Sequence, residues 1–196
     1  MQMTNIFQPP LPTTQEKKIT WTNLYGASIG LVINQTIIAS HRPILIITHD
    51  ELAVSRLIDE LHFFGNKIDH LLHFPDRETL PYDHFSPHQD IISERLSALH
   101  RLPTLQKGAV ITTISTLIHR LPPRDYLEAN SFLLKIGDKL NIDILRTQLT
   151  NVGYHSVGQV REHGEFAIRG SIIDLFPMGS KIPFRIDLLD NEVDSI

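Results

Sequence analysis

Glu165-Phe166-Ala167-Ile168-Arg169-Gly170-Ser171-Ile172-Ile173-Asp174-Leu175-Phe176-Pro177-Met178-Gly179-Ser180-Lys181-Ile182-Pro183-Phe184-Arg185-Ile186-Asp187-Leu188-Leu189 carries two runs of alternating apolar and polar residues around Pro177-Met178-Gly179-Ser180. A period of two belongs to strands buried on one side, and the Pro/Gly/Ser cluster predicts that the two runs pair through a tight connection. In the second run Phe184, Ile186 and Leu188 fall on one face, and Arg185, Asp187 and Leu189 on the other. In the first run Phe166 and Ile168 face away from Glu165, Ala167 and Arg169. One face suits a core; the other sets arginines beside a leucine. Guanidinium groups next to exposed aliphatic surface are common where proteins dock, and a merely solvated sheet face has the same pattern.

Working outward, Asp190 to Ile196 reads as a turn entering another strand, at which the chain stops without a terminator, as expected of a piece of a longer protein. Upstream, Asn141 is placed to cap a helix whose Ile142, Leu145 and Leu149 share a face, with Gly153 just past its end. Phe132 to Lys135 reads as a further strand. These elements form a small α+β domain, residues 126–196.

Before Pro122-Pro123 the pattern changes. Ile44-Leu45-Ile46-Ile47-Thr48, Ile68 to Phe74 and Ala109 to Thr113 read as buried parallel strands. Asp50 can cap a helix from Glu51 to Phe64, which Gly65 ends. Ser86-Pro87-His88-Gln89 has a helix-start pattern, with Ser as cap and Pro at the first helical position, for a helix running to about Arg101. Ser115 begins a short helix. Trp21 to Leu24 suggests a short strand and Leu31 to Ala39 a helix, after a poorly ordered tail at residues 1–18. The fold class is therefore α/β: a parallel-sheet domain over residues 19–125, then the smaller domain.

Composition narrows the functional classes. The 196 residues are 41% hydrophobic and 20% charged with a net charge of −4, which is ordinary for a globular protein and argues against a general phosphate-binding surface. There is no cysteine, which removes disulfides and thiolate chemistry and fits a cytoplasmic location. The apolar runs are too short to span a bilayer, so no membrane partner is expected. A phosphate loop after the first strand would need a lysine for the β/γ charge and a Ser/Thr for magnesium. Gly26-Ala27-Ser28-Ile29-Gly30 has the small residues, but Ile29 and Gly30 stand where those two belong. Among the eleven histidines, His70 and His73 lie on opposite faces of a strand, and His84 and His88 flank a helix start near Asp83 and Asp90. Surface histidines and capping carboxylates account for them better than a metal site. Neither these nor Ser86, His88 and Asp90 give a catalytic constellation.

Leu80-Pro81-Tyr82-Asp83-His84-Phe85-Ser86-Pro87-His88-Gln89-Asp90-Ile91-Ile92-Ser93-Glu94-Arg95-Leu96, together with the stretch from Glu162 to Asp190, closely resembles the N-terminal region of the bacterial transcription-repair coupling factors. That region is similar to the excision-repair protein UvrB. The resemblance implies a helicase-like α/β domain and a smaller UvrA-binding domain, in a fragment that recruits UvrA to stalled transcription complexes. It implies no catalysis and no cofactor in the fragment, ATP and magnesium belonging to the full-length motor. RNA polymerase and DNA would be met only through modules absent here. UvrB has an intact phosphate loop where this chain has Gly26 to Gly30, and a tyrosine-rich hairpin where this chain offers only Tyr82 and Phe85. The family's UvrA-contacting residues match Arg169, Arg185 and Leu189, the last replacing a phenylalanine, with Arg161 and Glu165 as rim candidates. The family also suggests that another domain masks this face at rest. The alternative is a nucleotide-binding, helicase-type half-domain.

Overall fold

A computed structural model describes residues 5–65, 71–80, 83–129, 131 and 133–196. Its contacts divide into two units, Met1–Asp76 with Arg101–His119, and Arg77–His100 with Arg120–Ile196.

In the first unit the chain leaves its N-terminal segment through left-handed backbone at Asn23 (φ 60°) and Gly26 (φ 54°). Such backbone cannot continue an extended ladder, and no strand forms at Trp21 to Leu24. Trp21 instead donates its indole N–H to the Pro10 carbonyl at 3.3 Å. Helix α1 (Ser28–Ala39) starts earlier than the apolar pattern from Leu31 suggests. Strand β1 (Ile44–Thr48) and helix α2 (Glu51–Phe64) follow, with Asp50 accepting the Ala53 N–H at 2.8 Å as the α2 cap. Strands β2 (Leu71–His73) and β3 (Ala109–Thr113) complete a parallel sheet of order β1-β3-β2, in the register Ile46↔Ile111 and Leu72↔Val110. The short helix α4 (Ile114–Leu117) is capped by Thr113 rather than beginning at Ser115.

Ile37, Val54, Leu57, Leu61, Ala109 and Ile111 form the core of this unit, with Ile44 and Ile46 packed against it. The apolar run at β1 is covered on that side only: Leu45 and Ile47 remain about half exposed. Helices α1 and α2 approach closely at Gly30. A Cβ built there would lie 2.5 Å from the Glu60 Cβ, and the Gly30 N–H donates to Glu60 Oε2 at 3.1 Å.

The second unit holds helix α3 (Gln89–Arg101), helix α5 (Arg124–Ala129), helix α6 (Ile142–Asn151) and strands β4 (His155–Ser156), β5 (Glu165–Arg169), β6 (Ile172–Leu175), β7 (Phe184–Leu189) and β8 (Glu192–Ser195). Residues 77–100, which the sequence pattern places with the parallel sheet, pack here. Ser93 Oγ accepts the Gly179 N–H at 2.8 Å, and Asp90 Oδ1 lies 2.8 Å from His163 Nδ1. Helix α3 begins at Gln89, later than the expected cap at Ser86.

The sheet runs β4-β5-β6-β7-β8. The expected single connection at Pro177 to Ser180 needs correction, because the first alternating run is itself a hairpin. It turns at Gly170-Ser171, where Gly170 has φ 62°, so Arg169 faces Ile172 across β5 and β6. A two-residue loop with glycine first supplies the positive φ that matches the twist of the flanking strands. A longer loop then leads to β7. Asp190 (φ 50°) and Asn191 (φ 68°) form the turn into β8, both residue types that tolerate left-handed backbone.

Phe166, Ile173, Leu175, Ile186, Leu188 and Val193 bury one face of this sheet against Leu145 and Leu149 of α6. Each such side chain contributes roughly 1.5–3 kcal/mol. Asn141 caps α6 as its position suggests, accepting N–H groups from Asp143 and Ile144 at 3.0 and 3.1 Å. Phe132 lies outside the described residues. Residues 133–135 form no strand; they lead into a turn, after which the Lys139 backbone makes an isolated antiparallel β-bridge with Glu192 of β8.

Candidate protein-docking site

Register decides what the outer face of the five-stranded sheet presents. Ala167 lies opposite Asp174 and Arg169 opposite Ile172; Ile172 lies opposite Asp187 and Asp174 opposite Arg185. Asp174, on the middle strand, therefore sits directly across from Arg185 and diagonally from Arg169, the two positions from which side chains on one sheet face meet. Arg185 Nε donates to Asp174 Oδ1 at 2.7 Å and Arg185 Nη2 to Oδ2 at 3.0 Å. Arg169 Nη2 donates to the same Oδ2. Asp174 is largely covered, with 14% of its side chain exposed, whereas Arg169 and Arg185 are 56% and 64% exposed.

The electrostatics follow from this geometry. Hydrogen bonds from Arg185, and then from Arg169, hold the Asp174 carboxyl below the usual carboxylate range despite the opposing effect of burial. The carboxylate in turn raises Arg185 above its ordinary value, chiefly through the hydrogen bonds between them. Two cations are thus held side by side around one anion, with part of each guanidinium facing solvent.

Leu189, at the end of β7, is 67% exposed on this face. Glu165 opens β5, four residues and about 13 Å along the strand from Arg169. Its Oε2 accepts the backbone N–H groups of Arg161 and Glu162 at 2.7 and 3.0 Å. Those bonds, from Glu162 first and Arg161 second, draw its pKa down. Glu165 thus closes the turn entering β5, and the Arg161 guanidinium donates to Gln159 Oε1 at 3.2 Å. Asp187 accepts from Ser171 Oγ at 3.3 Å. The arrangement can offer charge-assisted, paired N–H groups to carboxylates, with an aliphatic contact further along β7 on the same face.

Asp174 is the residue that the sequence pattern leaves hidden. Its role depends on the hairpin at Gly170-Ser171, and the Gly-Ser dipeptide between alternating runs was the available signal.

Elsewhere, Gly26 and Ala27 lead into α1, and Gly30 in its first turn packs closely on Glu60. Phe85 is exposed, while Tyr82 and His70 lie outside the described residues. His73 Nε2 is 3.3 Å from Glu51 Oε2. Asp83 accepts the His84 backbone N–H at 2.9 Å, and His88 Nδ1 lies 3.3 Å from Asp90 Oδ2. Among the described residues, no group of three or more metal-ligating side chains is placed to hold an ion, and no helix is long and apolar enough to cross a membrane.

Residues 132–196 match the UvrB interaction domain, a span that contains every residue of this site. The chain is 48% identical over 194 residues to the transcription-repair-coupling factor of Haemophilus influenzae, covering 98% of the chain and 17% of that protein. It is 42% identical over 186 residues to that of Escherichia coli, covering 95% and 16%, and 31% identical over 157 residues to that of Bacillus subtilis, covering 80% and 13%. The chain thus spans about a sixth of the length of the first two of these relatives.

Proposed function

Because the chain resembles, over nearly its whole length, the N-terminal UvrB-like region of the bacterial transcription-repair-coupling factors, we propose that it is a protein-interaction module of transcription-coupled nucleotide excision repair. It recruits UvrA to stalled transcription complexes and carries out no chemical step itself. Arg169 and Arg185 are the anchors, Leu189 supplies apolar contact, and Arg161 and Glu165 lie at the rim. The observation that carries this reading is the pairing of two exposed guanidinium groups, on the sheet face that also exposes Leu189, within the span that matches the UvrB interaction domain. Arginines fixed in this way pair with carboxylates through two parallel N–H groups, which selects a protein partner with acidic side chains.

In this reading residues 19–125 are a helicase-like scaffold with a degenerate phosphate loop, and residues 126–196 the UvrA-binding domain. Gly30 serves helix packing, and Ile29 stands where a lysine would neutralise a β/γ-phosphate. Leu189, exposed in this chain, would offer apolar contact where the resemblance implies an aromatic ring, at a loss of contact area.

Co-purification with UvrA tests the assignment. Arg169→Ala or Arg185→Ala is expected to weaken binding by about 2 kcal/mol or more. Retention of UvrA by the double variant at the wild-type level would reject it.

A further inference from the structure

We propose that Asp174 is the positioning residue of this docking face: it fixes the two guanidinium groups into one rigid unit, and UvrA binding depends on that preorganisation. The inference rests on the proposed UvrA-docking role and deepens it.

Asp174 is the only residue whose side chain hydrogen-bonds to both arginines among the contacts of the described residues, through Arg185 Nε, Arg185 Nη2 and Arg169 Nη2. It is itself held by the sheet, at the centre of the middle strand and largely covered. A covered anion on a rigid strand can order two long exposed side chains; the reverse cannot hold, because arginine alone is rotamer-rich. The carboxylate also screens the repulsion between adjacent cations, so both can keep their outward N–H groups on the same side. Ordering a binding group before the encounter removes that entropy loss from association. The partner this fits is an acidic protein surface with closely spaced carboxylates. It does not fit a polyanion such as nucleic acid, because Asp174, Asp187, Glu165 and Glu192 share the face with the arginines.

The test uses the purified 196-residue chain and purified UvrA in calorimetric titration. Asp174→Asn keeps shape but removes the charge, and it should weaken binding about tenfold at a temperature where a thermal melt shows the variant still fully folded. Asp174→Asn combined with Arg185→Ala should lose less than the sum of the two single losses, since part of the Asp174 effect acts through Arg185 and the rest through Arg169. Binding by Asp174→Asn at or above wild-type strength, with the arginine variants impaired, would overturn this inference and leave the docking role standing. Arginine variants that bind as wild type would instead overturn the docking role. A measurement on the unaltered chain is independent of how the variant folds. The Arg185 Nε–H signal in NMR should exchange slowly with water and show a high order parameter, and a fast-exchanging, disordered Nε–H would also overturn the inference.

Discussion

Gly30→Ala sets two effects of opposite sign against each other. Alanine is the better helix former by up to about 1 kcal/mol, and by less in the first turn of α1, where Gly30 stands. Its Cβ, however, would stand 2.5 Å from the Cβ and 2.6 Å from Oε2 of Glu60, where carbon atoms prefer about 3.5–4.0 Å. Oε2 can swing aside, at the loss of the hydrogen bond from the Gly30 N–H, worth about 1 kcal/mol. The Glu60 Cβ is fixed to the α2 backbone, so α1 and α2 must separate, and overpacking of this kind costs about 1–3 kcal/mol. The net expectation is a loss of about 2 kcal/mol. Trp21, the one tryptophan, lies in the same unit, so its fluorescence during urea unfolding reports on that unit, with far-UV circular dichroism as a second probe. Glu60→Gly removes the clashing atom, and the double variant should lose less than the sum of the two single losses by about 1–2 kcal/mol. A Gly30→Ala chain as stable as wild type, or more so, would refute the packing explanation and reopen a ligand-binding role for Gly26 to Gly30.

The remaining expectations are simpler. Asp174 and Glu165 both have folded pKa values below the ordinary one. Their stabilisation is therefore present above the ordinary carboxylate range and is lost as pH falls through the lower folded values; urea midpoints between pH 6 and pH 3 should fall, and less steeply for Asp174→Asn. Asn141→Ala removes the acceptor for two N–H groups at the start of α6 and should cost about 1 kcal/mol in chemical denaturation. Titration with a fluorescent ATP analogue should give no saturable, magnesium-dependent signal, and such a signal would revive the nucleotide-binding alternative.

Short-range pattern was enough for much of this protein. Asp50 and Asn141 satisfy N–H groups two or three residues ahead of themselves, so their caps are visible in any reading of the chain. The sidedness of Arg185, Ile186 and Leu188 follows from a period of two, which each strand carries within itself. Tertiary structure alone decided the rest. The turn at Gly170-Ser171 sets the register that brings Asp174 between Arg169 and Arg185; a shift of one residue would have turned it to the core. Gly30 meets Glu60 thirty residues away, and α3 joins the second unit through Ser93 and Asp90, which meet residues more than seventy positions further on. A repeating pattern records which face of an element is apolar, but not which other element lies against it, because that choice depends on the packing of distant segments.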